Sequence, residues 1–264
     1  MRGVRRVCCL ALLAGVAAIL VVVASAGAGK VRHDFIQPGG TTRSYSAQCP
    51  GHEKPTSGGF GLEGDTLSTL VEASHPTEHG WSVEMRNVDG GKRYVSLLFL
   101  CAKPDGLTMH SKDLKTKPSD ADARVKAPCR NGTKAIGGGG ALIGHGSGLL
   151  VSSVPVNNGK GWAARWHLSG NRAVQLRSYA ICKRVPGYYV SRKQGTVAAG
   201  GSGGSNQNRA IARCEDGDEL LGGGYARLED NTFYGYVSTR LGGWQVSAYG
   251  PKPEVPFTSF ATCG

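Results

Sequence analysis

The chain is poor in the residues that build helical bundles or Pro-rich linkers: of 264 residues, 3 are Met and 12 are Pro. No segment sustains a 3.6-residue apolar period, so amphipathic helices are not expected. Catalytic signatures are missing too. The sequence contains no H-E-x-x-H, G-x-S-x-G or Walker A pattern, and each of those spacings is what its chemistry requires. Gly144-His145-Gly146-Ser147-Gly148 carries its Ser in the wrong place for a nucleophile elbow, and Gly137 to Gly140 does not complete a dinucleotide-binding fingerprint. No C-x-x-C knuckle exists for zinc. His75 and His79 flank a turn, but no other part of the chain repeats them, so they read as solvated loop side chains. The expectation is a non-enzyme with no cofactor and no resident metal. One further absence concerns charge: no Asp or Glu occurs between Asp122 and Glu215.

Glycine is what the chain has in excess, with 41 residues, about twice the usual share of roughly 7%. There is no Gly-X-Y period, which excludes collagen and points to turns and short strands. The N-terminus has a different character. Arg2, Arg5 and Arg6 precede an uncharged stretch from Val7 to Gly29, and Ala24-Ser25-Ala26 has the form of a signal-peptidase site. Residues 1–29 are therefore read as a signal peptide cut after Ala26 or Ala28. The alternative is an uncleaved anchor, since the 23 uncharged residues suffice to cross a bilayer about 30 Å thick. Both place the rest of the chain outside the cytoplasm, extracellular or at the cell surface.

The exported part repeats itself. Cys101, Cys182 and Cys263 are spaced by 81 residues each, and Trp81, Trp162 and Trp244 by 81 and 82. Each Trp follows a Gly. Each of Cys49, Cys129 and Cys214 is followed by a glycine cluster (Gly58-Gly59, Gly137 to Gly140, Gly222 to Gly224) and preceded two residues earlier by Ala. So many coincidences at one period indicate a triplication, with units at 30–102, 103–185 and 186–264. One pairing of the six Cys makes each unit self-contained: Cys49–Cys101, Cys129–Cys182 and Cys214–Cys263. Export makes oxidation the expected state.

Apolar residues alternate after each Gly-Trp: Trp81, Val83, Met85; Trp162, Ala164, Trp166, Leu168; Trp244, Val246, Ala248. Such period-2 patterning marks strands with one wet face. The repeated Trp side chains are read as core anchors rather than sugar-stacking platforms; Trp166 is peculiar to the middle unit. The strands ending in the second Cys alternate likewise, and Asp89-Gly90-Gly91 and Ser169-Gly170-Asn171 read as hairpin turns joining them to the Trp strands. The opening segments of each unit, such as Tyr188 to Ser191 before Thr196-Val197, also read as hairpins. The fold class is all-β, with five to seven antiparallel strands per disulfide-stapled unit, arranged as consecutive small sandwiches or as a pseudo-threefold β-prism.

The order Cys129, Gly137 to Gly140, Ser153, Pro155, Gly161-Trp162, Cys182 resembles tandem repeats in secreted, functionally uncharacterised actinobacterial proteins, and with the flanking units this covers nearly the whole exported region. That family implies no activity. In outline the threefold Cys- and Gly-rich architecture is also similar to vitelline-membrane outer-layer prisms, which bears on fold alone.

Charge is the most informative functional feature. The formal net charge is +12, and it is unevenly shared: units one and three hold 7 Lys or Arg each, unit two 14 against 4 acids. Such a bias points to an anionic partner: teichoic acid, acidic polysaccharide, an anionic membrane surface, or nucleic acid bound non-specifically through its backbone charge. If the Trp162 strand and the Cys182 strand pair as a hairpin, Arg165 and Arg177 share one exposed face with Lys160 and Arg172 at its two ends. These four form the candidate polyanion-binding ribbon. Alternatives are a lectin for neutral carbohydrate and a purely structural envelope protein. Peptide mapping of the oxidised protein without reductant is expected to yield three Cys–Cys peptides, one per unit; a peptide joining two units would refute the self-contained repeat.

Overall fold

The computed structural model describes residues 29–63, 69–144, 146–197, 208–227, 234–238, 243–249 and 255–264. The expected signal peptide, residues 1–29, lies outside the described residues except for Gly29, which begins the first strand instead; His145 also lies outside them. The described chain forms eighteen strands and no helix, six strands to each unit. Unit one contains β1 (Gly29–Gln37), β2 (Thr42–Gln48), β3 (Lys54–Glu63), β4 (Thr69–Pro76), β5 (Gly80–Asn87) and β6 (Arg93–Ala102). Unit two contains β7 (Thr108–Lys115), β8 (Asp122–Pro128), β9 (Lys134–Ile143), β10 (Gly148–Val156), β11 (Gly161–Leu168) and β12 (Gln175–Lys183). Unit three contains β13 (Tyr189–Thr196), β14 (Asn208–Arg213), β15 (Leu220–Arg227), β16 (Tyr234–Ser238), β17 (Gly243–Tyr249) and β18 (Pro256–Cys263).

Each unit is a two-layered sandwich. The first, sixth and third strands make one antiparallel layer and the second, fifth and fourth the other, as in β1-β6-β3 and β2-β5-β4. The layers run on between units. β4 pairs with β9 at Ser74 and Gly140, and β10 with β15 at Ser153 and Tyr225. This yields two six-stranded sheets, β2-β5-β4-β9-β12-β7 and β13-β18-β15-β10-β11-β8. At the third seam β16 lies against β3, while β3, β9 and β15 touch one another. The architecture thus unites the two expected arrangements: three stapled sandwiches gathered about a pseudo-threefold axis, with sheets that stay open at their outer edges.

The expected hairpins are not formed. β5 and β6 belong to different layers, as do β11 and β12, and β13 and β14. The reason lies in the buried faces. Trp162, Ala164 and Trp166 on β11 and Leu176, Ala180 and Cys182 on β12 are each at most 1% exposed, because the two strands belong to layers that cover each other. Paired side by side, both apolar rows would lie on one sheet face and need a further cover. The segments 88–92 and 169–174 are long enough to cross between layers.

Trp and Gly are repeated together because they fit together. A Cβ on Gly58, Gly138 or Gly223 would fall inside the indole of Trp81, Trp162 or Trp244 respectively. The Ser of the preceding strand serves the same ring: Trp81 Nε1 donates to Ser74 Oγ at 3.0 Å and Trp162 Nε1 to Ser153 Oγ at 2.8 Å. The alternate glycines face the preceding unit. A Cβ on Gly137 would strike the Thr56 carbonyl, and one on Gly222 the Ile136 carbonyl. The extra ring of Trp166 rests over Gly140 and donates to the Glu72 carbonyl in unit one at 3.0 Å. Further bonds close the circle. Thr262 Oγ1 donates to Ile136 O at 2.6 Å and Tyr225 Oη to Leu150 O at 3.2 Å, while Ser57 Oγ accepts the Gly223 N–H at 3.1 Å.

The three disulfides are those expected, Cys49–Cys101, Cys129–Cys182 and Cys214–Cys263, with Cα–Cα distances of 5.8, 5.8 and 5.6 Å. Each ties the end of the sixth strand to the loop after the second. Gly138→Ala is expected to destabilise the protein by about 1–3 kcal/mol through overpacking against Trp162. Gly90→Ala, where a Cβ meets nothing within 4 Å, should stay within about 0.5 kcal/mol. Urea unfolding of both variants checks the contrast.

Candidate functional site

The structure separates the two central residues of the expected ribbon, Arg165 and Arg177, onto different sheets. Arg165 points outward from β11, and its Nη2 lies 3.2 Å from Asp122 Oδ1. Arg177 points outward from β12, on the sheet shared with unit one, and clamps Asp113 of β7 through Nε at 2.6 Å and Nη2 at 2.8 Å. This clamp holds the Asp113 carboxyl below its ordinary range and the Arg177 guanidinium above its own. Lys160 lies exposed in the turn before Gly161, and Arg172 lies exposed in the crossing segment after β11. The single ribbon is therefore not formed: β11 and β12 face each other across the core instead of pairing.

What Arg165 meets instead is β8. The register sets Arg165 opposite Arg124, and Ala163 opposite Lys126. Sequence reasoning passed over Arg124 and Lys126, although the signal was there. In Asp122-Ala123-Arg124-Val125-Lys126-Ala127 the apolar members are buried and the charged ones exposed. Charges at alternate positions recur about every 6.8 Å along a strand, and the neighbouring strand lies about 4.8 Å away. Asp122 is the one carboxylate that β8 and β11 carry; it is shared by Arg165 and by His167, whose Nδ1 is 3.7 Å away. Further along the same sheet, Arg192 of β13 sits over the Phe260 ring, 5.4 Å from its centroid.

The outer face of the other shared sheet carries charges of both signs. Glu72 occupies a bulge in β4; its side chain is 6% exposed and lies 3.2 Å from Arg86 Nε. Burial pushes the carboxyls of Glu72 and of nearby Glu84 up. His75 is not a solvated loop residue. It belongs to β4, and its ring stacks on Tyr179 of β12 across the seam, with centroids 5.1 Å apart and planes 13° from parallel. Its Nδ1–H donates to the Pro76 carbonyl at 3.0 Å. His79 lies apart in the turn, its Nδ1 accepting from Lys54 Nζ at 3.1 Å. Among the described residues no group of three His, Cys, Asp or Glu side chains is placed to hold a metal ion. Trp81, Trp162 and Trp244 are at most 1% exposed, so their rings are core and present no face to a sugar.

No family model matches the chain, and no curated protein matches it. Among the described residues no helix is long and apolar enough to cross a membrane.

Enclosure disfavours the charged form of His75 and lowers its pKa from 6.5, with a smaller contribution from Arg177. The unfolded chain therefore binds the proton more tightly than the folded one, so stability is full above about pH 6.5 and is lost as pH falls through the folded pKa. Thermal unfolding followed from pH 7.5 to 5 should show this decline. His75→Phe, which keeps a ring against Tyr179, should flatten it; an unchanged slope would show that other groups set it.

Proposed function

We propose that this is a secreted or cell-surface protein without enzymatic activity, whose middle unit contacts anionic polymers through the outward face of β8 and β11. The observation that carries this reading is the juxtaposition of Arg124, Lys126 and Arg165, with Lys160 at the end of β11 and one carboxylate on the two strands. The three disulfides belong to an oxidising environment such as the exterior of a cell. Cations at strand spacing suit a flexible chain of phosphates or carboxylates, as in teichoic acid or acidic polysaccharide. Each contact is weak in water, and affinity arises from their number and from counterion release. A membrane surface rich in anionic headgroups offers the same chemistry in two dimensions.

Binding to immobilised polyphosphate should therefore be tight at low salt and weaken steeply as salt is added, whereas neutral dextran should not bind. Arg124→Ser with Lys126→Ser should flatten the log–log salt dependence by about two units, while the melting temperature stays nearly unchanged. Salt-independent binding, or equal binding by the double variant, would reject this face as the site.

A further inference from the structure

The internal repeat provides a template for a second site, separate from the basic face. At the junction of units two and three, Tyr188 is inserted like a plug. Its Oη donates to the Ala135 carbonyl at 2.8 Å, Lys134 Nζ lies 5.6 Å above its ring, and Gly159 gives the ring room. Burial pushes the Tyr188 hydroxyl up, so it stays protonated and remains a donor.

The junction of units one and two is built the same way up to that side chain. Gly106 and Gly187 occupy the same place in the two connections, with φ of 70° and 68°. The residues two positions later, Thr108 and Tyr189, pair with Cys182 and Cys263. Pro55 stands opposite Cys101 as Ala135 stands opposite Cys182. Lys54 Nζ donates to the Glu78 carbonyl at 3.1 Å, as Lys134 Nζ does to the Asn158 carbonyl at 3.0 Å. The residue corresponding to Tyr188 is Leu107. The shorter side chain leaves a pocket of about 240 Å³, lined chiefly by Pro55, Pro104, Leu107, Met109 and Ile181, with Lys54 and Glu78 at its side. For comparison, an apolar cavity of about 150 Å³ suffices to hold benzene.

We propose that this pocket binds a small phenolic ligand. The aromatic ring takes the place that the Tyr188 ring fills in the next unit. Its hydroxyl is directed to the carbonyl of Pro55, and its electron-rich face lies under the Lys54 ammonium, a complementarity that favours a ring over an aliphatic chain of equal size. Counted between the residues paired across it, Pro76 with Trp81 against Pro155 with Trp162, the turn before Trp81 is two residues shorter than that before Trp162. Glu78 therefore bounds the pocket where Gly159 bounds the Tyr188 ring, which selects compact single-ring ligands.

The probe is p-cresol, followed by the methyl resonances of Leu107, Met109 and Ile181. Saturable shifts in the wild type, lost in Leu107→Tyr, are the expected result, and Leu107→Tyr should raise the melting temperature by supplying the missing plug. Lys54→Met should weaken p-cresol binding about 2–5-fold. Absence of saturable shifts in the wild type, or equal shifts in a folded Leu107→Tyr protein, overturns the proposal. If Leu107→Tyr does not fold, the wild-type titration decides alone. Polyphosphate binding by Lys54→Met should equal that of the wild type, which keeps this outcome distinct from that of the basic face.

Discussion

The architecture depends on a flat indole lying on a strand that has no side chain beneath it. Each Trp buries roughly 150–250 Å², worth about 4–6 kcal/mol at 25 cal/mol per Å². That contact is possible only because Gly58, Gly138 and Gly223 lack a Cβ. Glycine weakens a strand by itself, so the ring and the bare strand are stable together and poor separately. The same bareness acts on the opposite face, where Gly137 and Gly222 admit the backbone of the adjacent unit. One sequence feature thus forms the core of each unit and the joint between units.

Where the carboxylates sit, more than how many cations there are, decides the character of the surface. Unit two is strongly basic as a whole. On the sheet it shares with unit one, however, Asp113 engages Arg177, and the neighbouring unit contributes Glu72 and Glu84. On the sheet it shares with unit three, β8 and β11 carry three cations and one acid. A charge count over the unit averages these two faces and conceals their difference.

The all-β class, the Cys pairing and the buried Trp strands were legible in the sequence because each rests on local periodicity or on the repeat itself. Strand partners were not. Alternating apolar residues look the same whether two successive strands lie side by side or face to face, and Ser169-Gly170-Asn171 resembles a tight turn although residues 169–174 cross between layers. That ambiguity set Arg177 beside Arg165 in the sequence reading, where the structure sets Arg124. The neighbour of Arg165 comes from a strand some forty residues earlier, and only the register of β8 on β11 reveals it. His75 was misread for a related reason: its partner Tyr179 belongs to another unit. The contrast between Leu107 and Tyr188 was visible as a sequence difference, but its meaning as a socket with and without its plug requires the fold.

The closure of the three seams has a consequence for how such a chain can change. In a linear stack of repeats, a copy can be gained or lost at an end, since one neighbour suffices for each. Here β4, β10 and β16 each need the next unit, and the last leans on the first. Removal of a unit would bare two strand edges to other chains, and a fourth would have no room where β3, β9 and β15 meet. The number of copies is therefore fixed by geometry, and divergence is confined to the loops, the outer faces and the sockets between units.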